Sequence, residues 1–275
     1  MTRRNTAAVL AAGITLLAIL ADGRWAVSST GQQAPARPDP PTATPARTPG
    51  AVPTVRALPP AGAPTGPTAR ATGLPPGLTR TTGTRAVALT FDDGPHPIWT
   101  PKVLDQLRKA GVKATFCLIG TEAQRYPALV ARIVREGHTL CNHSWHHEFD
   151  LGELPEAKIR ANLERTNRAI RRAVPGARIG YFRQPGGKWT TRVVKVTRDL
   201  EMVPLHWSVD PADWQKPRAS VLVKRVLGRT QAGSIVLLHD GGGDRSSTLG
   251  ACPAVLATLQ RKYGIVALGW PKGSA

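Results

Sequence analysis

Short β-type runs alternate with helical patterns from residue 85 to the C-terminus, and this alternation restricts the fold more than any other feature of the chain. The runs Ala86–Phe91, Ala114–Ile119, His138–Cys141, Ile179–Phe182, Val203–Trp207, Ser234–Leu238 and Ile265–Leu268 have the length and composition of buried strands. Helical periodicity falls between them, over Thr100–Ala110, Glu122–Arg135, Glu156–Ala173, Thr190–Asp199, Ser220–Arg229 and Ser247–Lys262. Strands separated by helices pair in parallel, because a parallel neighbour needs a crossover. Seven strands in one domain of ordinary size fit either a compact, imperfect (β/α) barrel or an open doubly wound sheet.

The residues before this region cannot join its core. Ala7–Ala21 is a 15-residue apolar run preceded by Arg3 and Arg4. Its length suits a signal peptide better than a span, which needs about 20 residues, although an uncleaved membrane anchor over 1–30 fits the same pattern. Residues 31–82 read as a linker, with 13 of the chain's 25 prolines between Pro35 and Pro76 among Ala, Thr and Gly. Such a stretch buries too little apolar surface to offset its ordering entropy. The folded domain is therefore expected over 83–275, outside the cytoplasm, in a chain that is secreted or held at the cell surface. Membrane contact is expected only through the N-terminal segment if it stays uncleaved, and the chain is expected to act as a monomer.

Formal net charge is +19. It points to an anionic surface such as a cell wall as a partner, or to basic faces that are merely solvated. Nucleic acid is not expected, since no recognition module accompanies the charge.

Polar residues cluster at the strand ends. The first strand runs into Thr90-Phe91-Asp92-Asp93-Gly94-Pro95 and the third into Asn142-His143-Ser144-Trp145-His146-His147. Later strands lead to Arg183-Gln184-Pro185-Gly186-Gly187, to Asp210-Pro211-Ala212-Asp213-Trp214, and to Leu237-Leu238-His239-Asp240. Carboxyl ends of parallel strands share one face, where sites are built. Singly, each motif has a plainer reading: an Asp pair before Gly-Pro caps a turn, and a buried His is satisfied by the core. His143 and His147, four residues apart, would meet on one face of a helical turn and chelate a metal.

The ordered set of five motifs resembles the NodB-like polysaccharide deacetylases, carbohydrate esterase family four, over residues 86 to about 268. The resemblance implies a distorted (β/α) barrel of about seven parallel strands, a divalent metal, commonly zinc, and hydrolysis of N-acetyl groups on a GlcNAc-type polysaccharide such as peptidoglycan or a chitin-like glycan. Matched residue by residue, Asp93, His143 and His147 are the metal ligands, with His146 a competitor for His147. Asp92 is the general base, His239 the general acid, Arg183 the residue that orients Asp92, and Asp213 the partner of His239. Gly186 supplies an oxyanion N–H, while Trp214 and Leu237 wall the acetate pocket. Adjacent Asp92 and Asp93 divide these roles because neighbouring side chains at a strand end point in different directions. An O-acetyl esterase on xylan-type polysaccharide would use the same apparatus. A non-catalytic glycan-binding protein would be expected to lack a ligand or the base, and none is missing.

Two features depart from the family pattern. Family members often carry a bulky aromatic where Gly186 stands, so a sugar contact is missing there. Cys117 and Cys141 lie on neighbouring strand candidates, close enough to bridge if the register allows; otherwise they are packed thiols. Cys252 is then unpaired.

Overall fold

The computed structural model describes residues 73–269. The expected signal or anchor over 1–30 and most of the linker lie outside the described residues. Six strands form one sheet: β1 Ala88–Gly94, β2 Thr115–Leu118, β3 Thr139–Asn142, β4 Ile179–Phe182, β5 Val203–Pro204 and β6 Ile235–His239. Their order is β5-β4-β3-β2-β1-β6, and every pairing is parallel. Helices α1 Trp99–Lys109, α2 Gly120–Arg125, α3 Pro127–Arg135, α4 Glu156–Ala173, α5 Thr191–Asp199, α6 Ala219–Arg229 and α7 Ser246–Tyr263 fill the connections.

Side-chain alternation along the strands separates two apolar regions. Leu89 and Phe91, Phe116 and Leu118, Leu140, Phe182, and Val236 and Leu238 face the helices, in one core with Leu104, Ile133, Leu163 and Val255. Burying each such Leu or Phe stabilises the fold by about 1.5–3 kcal/mol. The opposite side chains, Ala88, Cys117, Cys141, Tyr181, Leu205 and Ile235, fill the inside of the curled sheet. The outer core outweighs the inner one, as expected where helices cover a sheet.

The curl is a distorted barrel with six strands rather than about seven. The segment expected as the seventh, Ile265–Leu268, makes one bridge, Val87 to Ile265, and then crosses the bottom of the barrel. There Leu268 N–H donates to Thr115 Oγ1 at 3.2 Å, Thr139 Oγ1 donates to the Leu268 carbonyl at 2.7 Å, and Tyr181 Oη donates to the Gly269 carbonyl at 2.5 Å. These contacts fall on β2, β3 and β4 in turn, so the segment is a plug bound through side chains, not a ladder neighbour of any one strand. Its apolar composition reflects burial of Leu268 in the inner core.

The gap between the edge strands is spanned by irregular chain. Val209 bridges Val236 of β6. Thr79 bridges Leu205 beyond β5, and Thr81 bridges Ser234 before β6. Residues 79 and 81, expected within the linker, thus lie on the barrel wall. The helix expected over Glu122–Arg135 is divided into α2 and α3 at Tyr126 (φ −126, ψ 59). Pro127 causes the break: it disfavours helical backbone in the preceding residue and suits the first turn of a new helix.

Cys117 and Cys141 are direct partners in the β2–β3 register, with Cα atoms 4.1 Å apart, and form a disulfide. Cys252 is free and buried in α7.

Candidate metal and catalytic site

The carboxyl ends of β1, β3, β4 and β6 and the loop after β5 converge on a cavity of about 440 Å³. Asp92, Asp93, His143, His147, Gly186, Trp214, Leu237 and His239 all line it. Arg183 and Asp213 stand immediately behind, fully buried. Every residue assigned a role from the sequence is therefore at this site, apart from the competing ligand His146.

Simple alternation does not explain how both adjacent aspartates reach the cavity. Asp92 points inward as a regular strand residue, which would send Asp93 toward the helices. The β1–β2 register shifts between Asp92 and Gly94, and Asp93 takes a left-handed φ of 72°. A bulge of this kind re-aims a side chain, and Asp is among the residues that tolerate the left-handed region. Gly241 locks the turn from the other side, since a Cβ there would lie 2.1 Å from the Asp93 carbonyl oxygen.

Asp93, His143 and His147 present one ligand atom each, all within 4.8 Å of one another. His143 Nε2 lies 3.5 Å and His147 Nε2 3.3 Å from Asp93 Oδ1. His143 Nδ1 is 2.8 Å from the Arg183 carbonyl. A carbonyl only accepts, so Nδ1 carries the proton and Nε2 keeps its lone pair for a cation. Burial, then repulsion from His143, lowers the His147 pKa and favours its neutral, ligating form. Burial opposes ionisation of Asp93, yet the neighbouring imidazoles of His143, His239 and His147 hold its carboxyl well below the usual range. Two imidazole nitrogens and one carboxylate oxygen are the donor set of a catalytic divalent site with positions left for water and substrate.

The two histidines do not share a helical turn. His143 follows β3 directly, and His147 is in an irregular loop where Ser144 (φ 65) and His147 (φ 63) are both left-handed. Side chains of α4, of the end of β3 and of the loop itself replace helical hydrogen bonds. Asn142 Oδ1 accepts from Ser144 N–H at 2.9 Å, Asn162 Oδ1 from Trp145 N–H at 2.9 Å, and Ser144 Oγ from Glu148 N–H at 3.0 Å. Asn162 Nδ2 donates to Glu148 Oε1 at 2.7 Å, and Asn142 Nδ2 to Asn167 Oδ1 at 2.8 Å. Asn162, Asn167 and Glu148 carried no recognisable sequence signal, because they act through a loop whose shape was unknown. His146 is exposed and lines no part of the cavity.

Asp92 is 2% exposed. Its Oδ1 accepts from Arg183 Nη1 at 2.7 Å, and its Oδ2 is 3.6 Å from His143 Nε2. Arg183 is held in turn by Thr90 Oγ1 at 2.7 Å and the His206 carbonyl at 3.1 Å. Across the cavity, His239 Nδ1 donates to Asp213 Oδ1 at 2.6 Å. Asp213 Oδ2 accepts from His239 N–H at 2.9 Å and Thr248 Oγ1 at 2.8 Å. Burial is the largest influence on His239 and disfavours its charge. The hydrogen bond and charge of Asp213, with Asp93 and Asp92 beyond, outweigh it and push the imidazole up to about 9.

Three contributors were not legible in the sequence. Arg245 is 3% exposed, lines the cavity and sits 4.0 Å from Asp93 Oδ2, held by the Gly241 and Gly242 carbonyls. Asp240 is fully buried beneath the Asp93–Gly94 turn and accepts from Thr100 Oγ1 at 2.5 Å. Burial, reinforced by Asp93 and Asp92, pushes its carboxyl up to about 7 against the pull of Thr100. Phe149 is 48% exposed at the cavity mouth.

Residues 79–205 match the family described as Polysaccharide deacetylase. A chitooligosaccharide deacetylase of Bradyrhizobium sp. is 44% identical over 60% of this chain and 77% of its own length. A peptidoglycan-N-acetylglucosamine deacetylase of Bacillus cereus is 37% identical over 65% of this chain and 83% of its own. Among solved structures, a CE4 family pseudoenzyme from Bacillus anthracis superposes with a TM-score of 0.65 at 30% identity, covering 71% of this chain and 68% of that one.

Proposed function

The chain belongs to the polysaccharide deacetylase family, the NodB-like family 4 carbohydrate esterases, and we propose that it removes N-acetyl groups from a GlcNAc-type glycan of the cell wall or cell exterior by metal-assisted hydrolysis. The observation that carries this reading is the convergence of a three-donor metal set, an Arg-bound carboxylate and an Asp-bound imidazole on one cavity.

Asp93, His143 and His147 would hold the ion, taken to be zinc from the nitrogen-rich donor set. Such an ion polarises an acetyl carbonyl and acidifies water. Asp92 receives the proton of the attacking water. The Arg183 contact leaves its Oδ2 turned toward the metal set. His239 sits on the other wall with a proton kept on Nδ1 by Asp213, and its Nε2 delivers a second proton to the leaving amine. An amine anion is too basic to leave, so this proton transfer is required for the C–N bond to break. Gly186, at a φ of 60°, offers its N–H to the developing oxyanion. Leu237 and Trp214 enclose the acetyl methyl group.

Placement outside the cytoplasm draws support from the Cys117–Cys141 disulfide, which persists in oxidising surroundings. Acetate release from peptidoglycan, chito-oligosaccharides and acetylxylan, with and without chelator, tests the function. Release from the first two that stops on chelation is expected. Release from acetylxylan alone would make the chain an O-acetyl esterase. No release from any substrate by metal-loaded protein would place it with the non-catalytic members of the fold.

A further inference from the structure

Helices α6 and α7 form an outer layer whose ionisable side chains are all basic. Neither helix contains an Asp or a Glu. Between Gln215 and Leu238 the chain has five cations and no carboxylate. Arg218, Lys224, Arg225, Arg229, Arg261 and Lys262 belong to this layer, and all except half-buried Arg225 are exposed. Tyr263 Oη donates to the Thr230 carbonyl at 3.1 Å, which ties the C-terminal ends of the two helices together. The rest of the helical surface is balanced. On α1, α3, α4 and α5 a cation stands on a carboxylate at 2.6–3.0 Å: Arg108 on Asp105, Arg132 on Glu136, Arg160 on Asp199 and Lys195 on Glu156. Among the described residues, none of the six cations of the α6–α7 layer has such a partner.

Two of the six are aimed by backbone and keep their charge unpaired. Arg225 Nη1 donates to the Pro211 carbonyl at 3.0 Å and Arg229 Nη1 to the Asp210 carbonyl at 2.9 Å. The Asp210 carboxylate is engaged elsewhere, accepting from Ala212 N–H at 2.7 Å. The face they occupy is hollowed. Ser220, Val221, Lys224, Arg225, Gly228 and Arg229 line an open trough of about 710 Å³ along α6. Val221, Lys224, Arg225 and Gly228 follow the spacing of a single helix face. Gly228 is the notch in that face, since no atom lies within 4 Å of where its Cβ would be. Glycine inside a helix weakens it, and no packing within the chain requires one here. What the missing side chain allows is close approach of a partner to the backbone between cations.

We infer that the α6 trough binds a strand of phosphate-bearing anionic polymer of the cell wall, holding the protein against the surface that contains its glycan. The choice of a wall polymer rests on the extracellular reading above; the trough itself is independent of the chemistry in the metal cavity. The 11 residues of α6 extend about 16 Å, enough to meet several charges of a flexible chain. A neutral glycan would desolvate the cations without pairing them. A bilayer fits less well. Helices that lie in a membrane surface bury Leu, Phe or Trp, whereas the large apolar side chain that α6 exposes is Val221, at 36%. Single-stranded nucleic acid binds on stacked aromatic rings, and α6 contains none.

The test is titration calorimetry of polyglycerol phosphate into the full chain, native and in two variants. Lys224→Glu with Gly228→Glu places two carboxylates in the trough; the second meets no atom and favours the helix, so the fold is retained, as Tm verifies. Lys109→Glu with Lys158→Glu removes more net charge, from exposed positions on α1 and α4. The trough variant is expected to bind at least about tenfold more weakly and the control to stay within about threefold of native, with native binding weakening as salt is raised. Phosphatidylglycerol vesicles and oligo-dT, titrated alongside, are expected to bind the native chain more weakly than the polymer does. Native affinity in the trough variant, an equal loss in the control, or a native preference for vesicles or DNA would each overturn the inference. Acetate release from chito-oligosaccharides should be the same in the native chain and the trough variant, so failure of the deacetylase reading is read separately.

Discussion

Asp213→Asn isolates the device that keeps His239 protonated. In the native protein the imidazole is pushed from 6.5 up to about 9. At roughly 1.4 kcal/mol per unit, that rise is a net preference for the charged form of about 3 kcal/mol. It is what remains after burial has worked the other way, so Asp213 contributes more than this. Asparagine is nearly isosteric, but its neutral amide cannot hold the charge. Asp213 also accepts three hydrogen bonds, from His239 Nδ1, His239 N–H and Thr248 Oγ1. With the amide oxygen on Nδ1, the amide nitrogen faces the His239 backbone N–H and leaves it unpaired, at a cost of about 1–3 kcal/mol. Burial then dominates, and the imidazole falls to 6.5 or below. Since turnover needs the protonated acid, the alkaline limb of the pH–rate profile moves to lower pH, and rate at pH 8 drops about 30-fold or more. A dication at the metal set repels the imidazolium in native and variant chains alike, lowering both limbs and preserving their separation. The linked stability effect has a definite sign. A group raised in the folded state adds stability that is fully present below 6.5 and is lost as pH rises through about 9. Metal-free native protein should therefore lose about 3 kcal/mol across that window, and the Asn variant should not. The assays are kcat/KM against pH and denaturant unfolding at pH 6 and 9.5. An alkaline limb that stays in place in Asp213→Asn would refute the assignment of His239 as the acid.

His143→Ala should lose both bound metal and acetate release, read by elemental analysis and turnover; full activity in a demonstrably metal-free preparation would refute the metal site. Asp92→Asn should keep its metal while kcat falls about 10²–10⁴-fold, the usual worth of a positioned base. Near-normal kcat would remove Asp92 from that role, and loss of metal would move it to the ligands. Thiol titration of denatured protein should find one free thiol per chain, that of Cys252; replacing Cys117 and Cys141 by Ala should cost about 2–4 kcal/mol and lower Tm.

The strands and helices were readable because their sequence periods differ and because most lie between turn residues. Five of the seven helices coincide with their sequence patterns to within a residue or so at the ends. Errors arose where one signal has two structural causes. Ile265–Leu268 is apolar because Leu268 closes the bottom of the barrel, and apolar character alone does not separate a plug from a strand. Glu122–Arg135 is periodic throughout, and only the backbone preference imposed by Pro127 splits it. The disulfide depended on register: one residue of slip would have put Cys117 and Cys141 on opposite faces of the sheet.

The candidate site was legible for the side chains that line the cavity and opaque for those that aim them. Asp92, Asp93, His143, His147 and His239 each have a plainer reading alone, and it was their occurrence as an ordered set at strand ends that marked them. What turns Asp93 into the cavity is a bulge and a left-handed backbone, and what shapes the His147 loop is the side-chain amides of Asn142 at the end of β3 and Asn162 in α4. Neither has a sequence period, and both depend on chain that is distant in sequence: Gly241 presses on Asp93 across 148 positions, and Asn162 reaches the loop from the following helix. The same holds for Phe149 over Gly186. A position that departs from the family pattern reads as a loss when the sequence is compared column by column. In three dimensions the ring of Phe149, from another loop, lies over this position, and a Cβ at Gly186 would fall 2.8 Å from it. The candidate catalytic residues sit in short local motifs, whereas the side chains that surround and aim them come together only in space, so these were the part of the site that required the fold.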